Sequence, residues 1–130
     1  MNLKKIMIVD DEPDILITLK KIFEHYEYEV ITVKNGLECL KELDNGFQGV
    51  ILMDLMMPEL NGWDTIKEII ERGLIKNVAI EIITAMGTKD PQRMGVLGPY
   101  IYDYLTKPLN INELISSVEK CNIYLAARNK

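Results

Sequence analysis

Residues 49–62 read Gly49-Val50-Ile51-Leu52-Met53-Asp54-Leu55-Met56-Met57-Pro58-Glu59-Leu60-Asn61-Gly62. The stretch opens as an unbroken apolar run, Gly49–Met53, which Asp54 closes. A short run without polar alternation is the pattern of a strand covered on both faces. Pro58 and Asn61-Gly62 then mark a loop. Trp63, Ile66, Ile69 and Ile70 follow at helical spacing, and Gly73 stops the stripe. A buried strand, a loop and an amphipathic helix make one βα unit, with an acid at the strand's carboxyl end.

The same unit recurs on both sides of this stretch. Upstream, Lys5–Val9 is a buried-type strand and Pro13 opens a helix whose apolar face is Ile15, Leu16, Leu19, Ile22 and Phe23. Glu29–Val33 is a second strand, rich in β-branched residues. Asn35-Gly36 signals a turn, Leu37, Leu40 and Leu43 form a second stripe, and Asn45-Gly46 ends it. Downstream, Val78–Ile83 is a fourth strand. Asp90-Pro91 predicts a cap and first turn for a fourth helix, kept short by Gly95 and Gly98-Pro99. Tyr100–Leu105 is the fifth strand. Asn110 caps the last helix with Glu113 three residues on, and Leu114, Ile115, Val118, Cys121 and Leu125 face inward. Strands alternating with helices predict an α/β fold: a doubly wound five-stranded parallel sheet with helices on both faces. Residues 1–130 then form a single domain, with its ligand site at the carboxyl ends of the strands.

Composition narrows the function classes. With 48% hydrophobic residues the chain is too apolar for disorder. A net charge of −5 argues against a general nucleic-acid or anionic-membrane footprint. Cys39 and Cys121 show neither framework spacing nor a CxxC motif, so two reduced, partly buried thiols are expected. The sequence shows no signal peptide and no apolar run near the ~20 residues of a membrane span. A cytoplasmic protein is the expectation.

The chemistry gathers at the strand ends. Asp10 and Asp11 follow the first strand, Asp54 ends the third, Thr84 ends the fourth and Lys107 follows the fifth. A parallel sheet brings all of them to one edge. Taken singly, each has an ordinary explanation: an aspartate at a strand end is usually a helix cap, and a lone threonine or lysine is usually solvated. Together they are not ordinary. Carboxylates within about 5 Å repel by roughly 3 kcal/mol per pair at an effective dielectric near 20. A divalent cation offsets this, with help from Lys107. Oxygen ligands suit Mg²⁺ (or Mn²⁺) rather than zinc, and the lone His25 lies on the first helix. A carboxylate beside such a metal is a candidate nucleophile toward phosphorus. Tyr104, read by itself, is ordinary strand packing.

The runs Ile-Val-Asp10-Asp11-Glu-Pro, Leu-Met-Asp54-Leu-Met-Met-Pro58-Glu-Leu-Asn-Gly62, Ile-Ile-Thr84-Ala85 and Asp-Tyr104-Leu-Thr-Lys107-Pro108 resemble response-regulator receiver domains over about residues 3–126. The resemblance implies a flavodoxin-like, CheY-like fold and a phosphoacceptor switch of two-component signalling. It implies Asp54 as phosphoacceptor, with Asp11 and Asp54 as metal ligands, Asp10 holding metal-bound water and the Met56 backbone carbonyl completing the protein's share. Thr84 and Lys107 would bind phosphoryl oxygens. Tyr104 would be the switch aromatic, moving inward with Thr84, and the small Ala85 would leave access to Asp54. A cis Lys107–Pro108 bond is also implied.

Three features depart from that family. Tyr100-Ile101-Tyr102-Asp103 replaces a usual Gly-Ala and two polar residues. The fourth helix carries Pro91, Gly95 and Gly98. Glu81 stands where the family has an apolar residue. All three are assigned to the fourth helix and its flanking strands, with Glu81 half-exposed or bonded by a tyrosine hydroxyl or basic side chain.

The partners implied are a histidine kinase or phosphotransfer protein and a downstream protein that reads the fourth helix and fifth strand. No direct nucleic-acid contact or membrane insertion is expected. A stand-alone receiver is the leading arrangement, and a receiver cut from a DNA-binding regulator or hybrid kinase is the alternative. A dehalogenase-like phosphatase would need Asp-x-Asp, whereas Asp54-Leu55-Met56 has methionine in the third place. A dinucleotide enzyme would need Gly-x-Gly-x-x-Gly after the first strand, which is absent.

Overall fold

The computed structural model describes residues 4–85 and 91–128. Strands and helices alternate as β1 (Lys4–Val9), α1 (Pro13–His25), β2 (Tyr28–Val33), α2 (Gly36–Asp44), β3 (Gly49–Asp54), α3 (Gly62–Glu71), β4 (Val78–Ala85), α4 (Pro91–Leu97), β5 (Ile101–Lys107) and α5 (Ile111–Arg128). Short 3₁₀ turns at Ile75–Asn77 and Gly98–Tyr100 lead into β4 and β5. All pairings are parallel, in the order β2-β1-β3-β4-β5. The doubly wound sheet predicted from the alternation is the one observed.

Two apolar layers cover the sheet. Met7, Val9, Ile51, Met53, Ile80 and Ile82 meet α2 and α3 on one face, with Leu97 of α4 at the margin. Ile6, Ile8, Val50, Leu52, Ala79 and Ile83 meet α1 and α5 on the other. Every residue of β3 is buried, as its unbroken apolar run requires. Burial of each such side chain is worth ~1.5–3 kcal/mol. Cys39 and Cys121 are fully buried in these layers rather than partly so. Burial pushes the Cys39 thiol up to about 12, so it is unreactive.

Three helices start on asparagine caps. The Asn35, Asn61 and Asn110 side chains accept from the N–H groups of Glu38, Asp64 and Glu113 at 2.8, 2.9 and 3.0 Å. Asn35-Gly36, read from sequence as a turn, is the cap of α2. The expected Asp90 cap of α4 lies outside the described residues. Gly62 is needed for a different reason. A Cβ there would sit 2.5 Å from the Asp54 carbonyl oxygen, so only glycine lets α3 begin against the end of β3.

The amino end of β5 differs from expectation. The strand begins at Ile101 and follows a 3₁₀ turn that includes Tyr100. Its register with β4 steps from Ile80↔Ile101 to Glu81↔Asp103, which leaves Tyr102 as an unpaired bulge residue. Glu81 is corrected too. Strand alternation places it with Ala79 and Ile83, so it faces α5, not α4. It is fully buried, and its partner is the Ser117 hydroxyl rather than a tyrosine or a basic group.

Candidate functional site

The sheet changes winding direction between β1 and β3, and a crevice opens at the carboxyl ends of these two strands. Asp10 is the first residue past β1 and is fully buried. Its N–H donates to the Val33 carbonyl at 3.2 Å, its Oδ1 accepts from the Glu12 N–H at 2.9 Å, and its Oδ2 accepts from Lys107 Nζ at 3.2 Å. Asp10 therefore ties down the start of the β1–α1 connection and pairs with Lys107 at the same edge. Asp11, next along, is exposed at the mouth.

Asp54 ends β3 with its side chain buried. Its Oδ1 accepts from the Met56 N–H at 3.1 Å. One oxygen from each of Asp10, Asp11 and Asp54 falls within 4.8 Å of the others. Burial above all pushes the Asp54 carboxyl up to about 6, and Asp10 and Asp11 add to this. The Met56 N–H and Lys107 pull in the opposite direction.

Lys107 reaches in from the end of β5. Its Nζ lies 3.9 Å from Asp54 Oδ2 and 3.6 Å from Glu12 Oε1. Burial alone would lower its pKa, but Asp54 and Asp10 outweigh that and raise it, so the ammonium stays charged. The Lys107–Pro108 bond is cis. Glu12 is a site neighbour that the motif reading passed over. Its signal was its place, directly after Asp10-Asp11 and before the helix-opening Pro13.

Thr84 lies on β4 beside Thr106 of β5, and Ala85 lies beside Lys107. Tyr104 is half-buried, with its ring centroid 6.4 Å from that of Trp63. A Cβ on Gly98 would stand 4.0 Å from the Tyr104 hydroxyl. The fold thus brings Asp10, Asp11, Asp54 and Lys107 into one cluster, with Thr84 on the same edge and Tyr104 farther back along β5. No helix among the described residues is long and apolar enough to cross a membrane.

A five-stranded flavodoxin-like sheet with an acid cluster and a lysine at its switch point defines a class, and residues 6–119 match the response regulator receiver domain family. The chain belongs to that family, a component of two-component systems. It is 36% identical over 117 residues to the transcriptional regulatory protein CpxR homolog of Haemophilus influenzae, covering 90% of this chain and 49% of that protein. It is 35% identical over 118 residues to the alkaline phosphatase synthesis transcriptional regulatory protein PhoP of Bacillus subtilis, covering 89% and 47%. A CheY-like receiver domain protein from Methanospirillum hungatei superposes with a TM-score of 0.85 at 36% identity, covering 97% of each chain. The chain spans about half the length of the curated relatives it matches.

Proposed function

We propose that this receiver accepts a phosphoryl group on Asp54, with Mg²⁺ (or Mn²⁺) held by Asp11, Asp54 and the Met56 backbone carbonyl, and by Asp10 through water. The observation that carries this reading is the convergence of three carboxylates within 4.8 Å around a buried Asp54, with Lys107 3.9 Å from its Oδ2. The donor set is all oxygen, which fits a hard divalent ion. When bound, such an ion neutralises the oxygens of the incoming phosphoryl group.

The chain's own residues do the rest. The Met56 N–H holds Oδ1 of Asp54, and Oδ2 lies on the Lys107 side. That oxygen forms the new bond to phosphorus as the bond to the donor's leaving group breaks. Lys107 stays charged and binds phosphoryl oxygens, as does the Thr84 hydroxyl. Transfer replaces one carboxylate charge with nearly two. Movement of Thr84 toward that charge would draw Tyr104 inward from its place beside Trp63 and Gly98. The signal then reaches the α4–β5 surface, where Val96 and Tyr100 are exposed. A histidine kinase or phosphotransfer protein is the donor, and a protein bound at this surface is the reader. The domain catalyses only its own phosphorylation and dephosphorylation.

Incubation with a small phosphodonor and Mg²⁺ should add one phosphoryl group by intact-mass spectrometry, and Asp54→Asn should abolish it. Equal labelling of the two proteins would overturn the assignment. Hydrogen exchange with beryllofluoride and Mg²⁺ should change most from α4 through β5. Uniform protection of all helices would place the switch elsewhere. A second arrangement is favoured by the half-length match to the two transcriptional regulators: a receiver that forms part of a longer DNA-binding regulator. The length of the natural reading frame separates this from a stand-alone receiver.

A further inference from the structure

A second carboxylate pair meets between β4, β5 and α5, away from the acidic edge. The bulge at Tyr102 brings Asp103 into register with Glu81, and neighbours in register lie about 5 Å apart. Glu81 is fully buried, whereas Asp103 is exposed. Ser117 Oγ of α5 stands between them, 3.1 Å from both Glu81 oxygens and 3.2 Å from Asp103 Oδ2. A serine hydroxyl has one proton to donate. It cannot serve two ionised carboxylates at once.

The other groups around Glu81 do not supply a positive charge. On α5 the Cys121 thiol lies near it, on β5 so does the Tyr102 phenol, and on β3 its neighbour is the apolar Leu52. Lys120 and Glu113 lie on the rim of the open groove beside Asp103 and Ser117. Among the described residues neither Glu81 nor Asp103 forms an ion pair with a lysine or arginine. The remaining Asp103 oxygen, Oδ1, accepts from the backbone N–H of Tyr104 at 2.8 Å.

We propose that Glu81, Ser117 and Asp103 form a proton-operated latch that holds α5 against β4 and β5. In the closed state Glu81 carries a proton and donates to Ser117 Oγ, and the Ser117 hydroxyl donates to Asp103 Oδ2. When that proton passes to solvent, two ionised carboxylates compete for the Ser117 hydroxyl and repel, and the α5 contact loosens. Because Asp103 also holds the Tyr104 amide, the change is felt at the aromatic that the phosphorylation reading makes the switch. Burial first, and Asp103 with it, push the Glu81 carboxyl up to about 7, so the exchange falls near neutral pH. The latch itself does not depend on the role of Asp54.

Carboxyl carbon NMR on ¹³C-labelled protein tests this directly. Glu81 should titrate with a midpoint near 7, and the amides of Tyr104 and Ser117 should follow the same midpoint. Asp103→Asn should lower that midpoint by on the order of one unit. Glu81→Gln should remove the step from both amides. An Asp54→Asn background should leave all of this unchanged, which separates the latch from the phosphoacceptor reading. A Glu81 midpoint in the ordinary carboxylate range would overturn the proposal. So would a raised midpoint that ignores Asp103→Asn, since burial alone would then act, or amides that do not follow it.

Discussion

Two groups of carboxylates stand in this domain, and they are compensated in opposite ways. Asp10 and Asp54 are buried at the carboxyl edge with the exposed Asp11 at its mouth, and Lys107 stands among them. Glu81 and Asp103 meet under α5 with only a hydroxyl between them. The first group has a fixed cation in Lys107 and a set of oxygen ligands that suits a divalent ion, so its charge can be balanced without a proton. The second forms no ion pair with a lysine or arginine among the described residues, and a proton is the neutraliser that the latch uses. Carboxylate proximity alone therefore identifies neither a metal site nor a switch. The difference lies in which positive species can reach the oxygens.

The largest expected effect separates the two groups by pH. The folded state raises the Glu81 carboxyl from 4.5 to about 7. Below the lower value Glu81 is protonated whether the chain is folded or not, and its stability contribution is fully present. Between the two values the folded chain holds more protons than the unfolded one, so stability falls as pH rises. Above the upper value the loss is complete, on the order of 3 kcal/mol. Urea unfolding of the parent and of Glu81→Gln in saturating Mg²⁺ should diverge across this window, with the variant less pH-dependent. Parallel curves would show that Glu81 is not held protonated.

Metal addition should act on the other group alone. At a hundredfold excess over Kd, Mg²⁺ should raise the unfolding free energy by ~2.7 kcal/mol. Asp11→Ala should remove most of that gain, and Glu81→Gln should keep it in full. Lys107→Met sharpens the contrast through its sign. Removing a positive charge beside the cluster should tighten Mg²⁺ binding by calorimetry while weakening phosphoryl acceptance. Weaker Mg²⁺ binding in this variant would mean that Lys107 organises the metal ligands rather than competing with the ion.

Smaller effects mark the edges of the comparison. Ser117→Ala strips the hydroxyl from both carboxylates and should destabilise by ~1–3 kcal/mol. Asn61→Ala removes only the cap of α3 and should cost ~1 kcal/mol, with no dependence on pH or Mg²⁺. If Asn61→Ala showed the same pH dependence as Ser117→Ala, the pH effect would be a property of global stability and not of the latch.

Asn61, read in the sequence as part of a loop, proved a cap only in the structure. The sequence alone determined the alternation of strands and helices, the asparagine cap at Asn110, and the gathering of Asp10, Asp11, Asp54, Thr84 and Lys107 at one edge. These are local properties. A strand end is marked by where an apolar run stops, and a parallel sheet sends all such ends the same way. Tertiary structure alone decided what Glu81 does. Its facing depends on strand alternation within a packed sheet, its neighbour Asp103 on a one-residue bulge at Tyr102, and its hydroxyl partner on a helix 36 residues away in sequence. The placement of Glu12 beside Lys107 is of the same kind, because it needs β5 to return alongside β4 before the two side chains can meet. A motif records which residues end the strands. Partners joined across elements depend on register and packing, and no local pattern in the chain encodes either one.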